Sequence, residues 1–166
     1  MDKKSIVLIG MPGCGKTTIG KILANEINYN FCDMDNYIEE ISGKTVKELF
    51  EVSEEHFRDL ETRACKELCN KKDLLVSSGG GVIKRKKNID LFKDNSIIIF
   101  IDRPLEKIIS DINASTRPLL KDGKDKLYKL YQERYNLYNE YSDIKVVNNG
   151  FIEDVILDIK DKLKYT

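Results

Sequence analysis

The stretch Gly10-Met11-Pro12-Gly13-Cys14-Gly15-Lys16-Thr17-Thr18 decides how the rest of the chain is read. Glycine, four residues, glycine, lysine and threonine follow one another without a gap, the pattern of a loop that cradles phosphate groups. The ligand explains the residue types. A triphosphate needs a concave ring of backbone N–H donors, and glycines let the main chain close around it. Gly13, Cys14, Gly15, Lys16, Thr17 and Thr18 are therefore the expected nucleotide contacts. Lys16 should reach the β- and γ-phosphates as a point charge from an exposed position, and Thr17 should offer its hydroxyl to Mg2+. The helix that starts here aims its positive end at the same anion. Both flanks agree: Ser5-Ile6-Val7-Leu8-Ile9 reads as a buried strand, and Ile19, Ile22, Leu23 and Ile27 recur at helical spacing. A chance glycine-rich turn would explain the glycines but not the lysine, the threonine and both flanks. The expectation is a protein that binds a nucleoside triphosphate with Mg2+.

The whole chain narrows this further. Its 166 residues make one domain with room for a sizeable core. Lysine plus arginine number 28, as do aspartate plus glutamate, so the net charge is zero. That removes the general electrostatic case for nucleic acid or an anionic membrane surface. No apolar run is long enough to span a bilayer as a helix, and Met1-Asp2-Lys3-Lys4 leads into a strand rather than a signal-peptide core. The cytoplasm is the expected compartment and a monomer the expected state. Cys65 and Cys69, one helical turn apart, read as small core residues rather than metal ligands, and Cys14 as an alkylation target rather than a nucleophile. His56 is the one histidine, which excludes catalysis built on several.

Strands alternate with helices along the chain, the signature of a parallel sheet covered on both faces. The second strand, about 29–32, ends in Asp33-Met34-Asp35, where a carboxyl edge would meet a ligand. A helix cap needs one aspartate, and here there are two. Residues from about 34 to 62 read as a helical insertion. Within it Ser53-Glu54-Glu55-His56 opens a longer helix with a buried stripe of Phe57, Leu60, Ala64 and Leu68, and Arg58 lies one turn from Glu61. That spacing fits either a surface ion pair or an acid holding a guanidinium for a ligand. Leu74 to Ser78 reads as the third strand and runs into Gly79-Gly80-Gly81, three glycines that allow a ligand close approach. Asp102 closes the fourth strand, Ile97 to Asp102, and reads as a cap before Pro104 rather than as a metal ligand. Periodicity breaks over 113–125, around Arg117-Pro118-Leu119-Leu120, and a loop of that length suits a lid that brings Arg117 to the phosphates. A helix with Leu127, Leu130, Tyr131, Tyr135 and Tyr138 follows, then a strand at 144–148 and a closing helix at 151–163.

Taken in order, the phosphate loop, Asp33-Met34-Asp35, Phe57-Arg58-Asp59-Leu60-Glu61, Ser78-Gly79-Gly80-Gly81, Arg117-Pro118-Leu119-Leu120 and Glu133-Arg134 with Tyr138 resemble the shikimate kinases. These belong to the nucleoside-monophosphate-kinase-like group of the P-loop NTPase fold. The match covers nearly the whole chain; the loop is common to a vast class, but the ordered set is specific. The resemblance implies an α/β/α sandwich around a five-stranded parallel sheet of order 2-3-1-4-5. It implies ATP and shikimate as substrates, with phosphoryl transfer to the 3-hydroxyl. It assigns Asp35 to ring hydroxyls, Arg58 and Arg134 to the carboxylate, and Gly80 to backbone contact. Lys16 and Arg117 go to the ATP phosphates, and Thr17 to Mg2+ with Asp33 and Ser78 in the outer shell. One position departs: many relatives carry an arginine seven residues before the lid arginine, near the adenine, and this chain has Ser110. Another small-metabolite kinase, such as a gluconate kinase, would explain the loop but not Arg58 with Glu61 or the triple glycine. A non-catalytic regulator would have no need of Lys16, Asp33, Asp35 and Arg117 together.

Overall fold

Residues 4–113 and 121–166 are described by the structure, a computed structural model. Five parallel strands form one sheet in the order β2-β3-β1-β4-β5: β1 (Ser5–Ile9), β2 (Asn30–Asp33), β3 (Leu74–Ser77), β4 (Ser96–Asp102) and β5 (Ile144–Val147). The register places Val7 beside Val76 on one side and Ile98 on the other. β1 is buried along its whole length, as expected for a central parallel strand walled in on both faces.

The helices follow from the strand order. From β1 the chain moves outward to β2 through α1 (Lys16–Ile27). From β2, β3 and β4 it moves the opposite way, through α2 (Met34–Ser42), α3 (Val46–Val52) and α4 (Glu54–Leu68), then α5 (Lys86–Lys93), then α6 (Leu105–Asn113) and α7 (Lys121–Tyr141). Right-handed crossovers running in opposite directions must lie on opposite faces of the sheet. α1 accordingly packs with the last helix, α8 (Ile152–Leu163), whereas α4 packs with α5, and α5 and α7 pack on β4. This is the three-layer sandwich expected from the sequence. The topological switch falls between β1 and β3, so a crevice opens at their carboxyl ends.

Local chemistry sets the insertion. Asp33 caps α2 by accepting from Asn36 N at 3.1 Å. Thr45 and Glu48 form a reciprocal capping box on α3, and Ser53 caps α4 through His56 N at 3.0 Å. His56 itself is exposed, a first-turn residue and not a buried base. Cys65 and Cys69 are buried, as the core reading requires.

Two expectations change. The break in periodicity does not extend to 125, because α7 already begins at Lys121; Arg117 and residues 114–120 lie outside the described residues. Asp102 accepts from the Tyr135 hydroxyl at 2.9 Å and pairs with Lys145 at 3.1 Å, so its carboxylate ties β4 to α7 and β5. That use is neither the cap nor the metal ligand weighed from the sequence.

α1 sits tight on the sheet because Gly20 has no side chain. A β-carbon there would lie 2.8 Å from the Phe31 ring and 3.0 Å from Leu75 Cδ2. Gly20→Val is expected to destabilise the fold by about 1–3 kcal/mol through overpacking, despite valine's better helix propensity. Urea unfolding should show a lower midpoint with an unchanged slope; an unchanged midpoint would mean that α1 can lift off the sheet freely.

Candidate active site

The crevice at the switch point holds a cavity of about 520 Å³. Its wall is made by Pro12, Gly13, Gly15, Lys16, Thr17 and Thr18 from the phosphate loop, Asp33 and Asp35 from the β2 end, Ser78, Gly79 and Gly80 from the β3 end, and Arg103 from the β4 end. Three of the sequence motifs, the phosphate loop, Asp33-Met34-Asp35 and Ser78-Gly79-Gly80-Gly81, thus meet in this cavity.

The loop leaves β1 through Gly10, whose φ of 151° and surroundings suit only glycine: a β-carbon would lie 2.6 Å from the Ile101 carbonyl oxygen. Lys16 is not exposed as expected. It is 7 % accessible, with Nζ donating to Gly10 O at 2.8 Å and Met11 O at 3.0 Å. The ammonium is therefore held by buried main-chain carbonyls of the phosphate loop itself. Cys14 is fully buried beside it, with Sγ 3.6 Å from Nζ, which closes the thiol to reagents in this conformation.

Thr17 turns its hydroxyl to the β2 and β3 ends. It donates to Asp33 Oδ2 at 3.1 Å and lies 3.3 Å from Ser77 Oγ. Asp33 uses both of its oxygens, since Oδ1 caps α2 while Oδ2 accepts from Thr17. Ser78 lines the cavity, but its hydroxyl donates to Leu8 O at 2.7 Å, so Ser77 is the serine beside Thr17. Threonine, a carboxylate and a second hydroxyl form a hard oxygen set suited to Mg2+ that arrives on nucleotide phosphates and keeps most of its waters. Among the described residues no group of three or more His, Cys, Asp or Glu side chains could hold a metal without such help.

The acceptor side is built on the three glycines. A β-carbon on Gly79 would lie 3.2 Å from Asp35 Oδ1 and 3.4 Å from Glu61 Oε2. One on Gly80 would lie 2.8 Å from Pro12 Cδ, and one on Gly81 would strike the Arg58 guanidinium, with Cζ at 2.7 Å. The glycines are thus packed against three functional segments and do not form a loose turn. Arg58 is 8 % accessible and lies flat on Gly81, with its guanidinium 5.2 Å from the Phe57 ring and 5.8 Å from the Phe50 ring. Glu61 accepts from Arg58 Nη1 at 2.9 Å, so this ion pair is buried and not a surface pair.

Burial dominates the carboxylates. It raises the pKa of Asp35, Asp33 raises it further, and Lys16 and Arg58 pull it back. Burial likewise raises Glu61 against the pull of Arg58. Glu61 Oε2 has no hydrogen-bond partner. From α7, Tyr138 donates to Gly80 O at 2.5 Å, and burial pushes its phenol up to about 12. Arg134, one turn before it, lies close enough to lower the pKa of both Glu61 and Tyr138 against that burial. Sequence reasoning missed the roles of Ser77, Tyr138 and Arg103; only Tyr138, one turn from Arg134, carried a readable signal.

A second cavity, about 440 Å³, lies between α6, α7 and β5 and is lined by Asp102, Leu105, Tyr131 and Val147 among others. No phosphate-loop residue borders it, so it stands apart from the site above.

Comparison with known proteins agrees with this geometry. A family model described as shikimate kinase matches residues 12–164. A shikimate kinase of Clostridium beijerinckii is 52% identical over 159 residues, covering 96% of this chain and 94% of that protein. Among solved structures, a shikimate kinase from Acinetobacter baumannii in complex with shikimate superposes with a TM-score of 0.89 at 31% identity, over 98% of this chain and 94% of that one. A gluconokinase from Sinorhizobium meliloti has a TM-score of 0.62 at 15% identity, over 99% of this chain and 97% of that one, which is a likeness of fold alone. With the family model spanning nearly all of a chain whose buried Arg58, paired acids and packed glycines face one phosphate loop, the chain belongs to the shikimate kinase family.

Proposed function

We propose that the crevice binds ATP with Mg2+ and shikimate side by side and moves the γ-phosphoryl group of ATP to the 3-hydroxyl of shikimate, giving 3-phosphoshikimate and ADP. The observation that carries this reading is the position of Asp35, which lines one cavity with Lys16 and meets Gly79 beside Glu61, the acid that holds Arg58. A carboxylate set between a phosphate-binding lysine and a buried guanidinium suits an acceptor with hydroxyls at one end and a carboxylate at the other.

In this reading Lys16 leaves its carbonyl partners and follows the β- and γ-phosphates. The metal, when bound, draws charge from the phosphate oxygens, with Thr17 as its protein ligand and Asp33 in the outer shell. Asp35 accepts from the ring hydroxyls, Gly79, Gly80 and Gly81 give the ring a close floor, and Arg58 and Arg134 hold the carboxylate. Arg117, outside the described residues, is assigned to the transferring phosphoryl group. Most of the catalysis is then positioning and charge stabilisation, with little proton chemistry asked of any side chain. The protein would act as a cytoplasmic monomer, with no nucleic-acid or membrane partner.

Lys16→Met should leave the protein folded, since methionine fills much of the same space, yet turnover should fall far more than ~tenfold. A coupled ADP-release assay with shikimate checks this, and turnover within that range of the parent removes Lys16 from the mechanism.

Arg58→Lys keeps the charge but loses the planar fork. Shikimate binding should weaken by about 1.5–3 kcal/mol, the scale of a charged hydrogen bond, with nucleotide binding nearly intact. Calorimetry that returns an unchanged shikimate affinity would move the carboxylate elsewhere.

Asp33 and Asp35 should separate. Asp33→Asn should raise the Mg2+ requirement and slow transfer, while Asp35→Asn should weaken shikimate and spare ATP. Stability adds a second reading. Asp35 has a higher proton affinity in the fold than in the unfolded chain, so its ionised form costs folding free energy in full above that raised pKa, and the cost fades as pH falls from there to the ordinary carboxylate range. Asp35→Asn should therefore raise the melting temperature near neutral pH, by a margin that shrinks on acidification. Equal loss of the same ligand in both variants would refute the division of labour.

A further inference from the structure

We propose that Arg103 is a further cation of the nucleotide site, beside Lys16 and Arg117, and contacts the phosphate chain of ATP on its nucleoside side. The proposal rests on the reading that the ATP phosphates occupy the Gly10–Thr18 loop. Arg103 follows β4 directly, and its guanidinium is fixed at two points. Nη1 donates to Gly13 O of the phosphate loop at 3.1 Å, and Nη2 pairs with Asp111 of α6. The side chain is 20% exposed and borders the same cavity as Gly13, Gly15, Lys16, Thr17 and Thr18.

Charge and topology both point to the phosphates. Lys16 and Arg103 are the two cationic side chains lining that cavity among the described residues. With Arg117 assigned to the transferring group, Lys16 alone is little positive charge for the inner phosphates. β4 lies on one side of β1, and β3 and β2 on the other, so Arg103 faces the loop from the side opposite Asp35, Gly79 and Gly80. A nucleotide whose terminal phosphate meets the acceptor must run its remaining phosphates and nucleoside towards β4. The two contacts of Arg103 use only two N–H groups of a fork that carries more, so donors remain for phosphate oxygens. Asp111 is 62% exposed, and an ion pair in that setting is weak enough to orient the guanidinium without withholding it.

The test is calorimetry on the full chain with three separate ligands: Mg-ADP, Mg-pyrophosphate and shikimate. Arg103→Met should weaken ADP and pyrophosphate by about tenfold each, the loss of one charged hydrogen bond, and leave shikimate within about twofold. The ATP KM should rise by a similar factor. Unchanged ADP affinity overturns the proposal. So does weaker ADP binding with pyrophosphate unaffected, which would make Arg103 a base contact. Parallel loss of all three ligands with a lower melting temperature would make it a brace for the loop and overturn the proposal equally. Asp111→Asn provides a second variant that keeps the arginine: ADP affinity should hold or improve, and a loss matching that of Arg103→Met counts against a direct contact. Lys16→Met separates the two readings. If it leaves ADP affinity intact, the phosphate-loop reading falls; if it weakens ADP while Arg103→Met does not, only the role of Arg103 falls.

Discussion

β1 has a hydrogen-bonded neighbour on each side, and the chain leaves β1 and β3 in opposite directions across the sheet. That reversal opens the only kind of gap an otherwise closed layer of strands can offer, a crevice at the carboxyl ends of two adjacent strands. The phosphate loop follows one of those strands and the triple glycine follows the other. Gly80 against Pro12 shows how close the two turns come. Everything that handles ligand hangs from this pair of turns: α2 and α4 bring acids and a guanidinium to the β3 side, and β4 and α6 bring Arg103 and Asp111 to the other.

The site is costly to the fold. Lys16, Arg58 and Glu61 are all buried, and burying ionised groups is unfavourable unless partners replace the lost water. The replacement is incomplete. Among the described residues Arg58 is met by Glu61, Glu54 and two aromatic rings, but Glu61 keeps an oxygen with no partner, and Lys16 has only carbonyls and a thiol. Groups left short of partners in this way are ready to gain them from a ligand, and the stability withheld from the free protein becomes binding energy.

Much of this could be read from the chain. Phosphate binding carries its own residue pattern, and the alternation of apolar strands with amphipathic helices gave the sheet and its covering layers. Arg58 with Glu61 was ambiguous because the same spacing serves surface pairs; burial on Gly81 decides it, and burial is a tertiary property. The inward fold of Lys16 was hidden for the same reason, since the sequence shows the charge and not the carbonyls that receive it. Ser77 and Ser78 are adjacent, so a strand end one residue out exchanges which hydroxyl faces Thr17. The early start of α7 was masked by the polar stretch Lys121-Asp122-Gly123-Lys124-Asp125, whose apolar period begins only at Leu127.

The bond from Tyr138 to Gly80 gives α7 a further role, that of a gauge. Arg134 and Tyr138 lie four residues apart on one helix, a rise of about 6 Å. Tyr138 is bonded to Gly80, so the main chain at Arg134 is positioned relative to the glycines by a rigid helix and not by a loop. The helix is anchored in the core at this point by the stacking of Tyr138 on Phe100. The placement of Arg134 is in this way set partly by residues that belong to the core and not to the cavity wall.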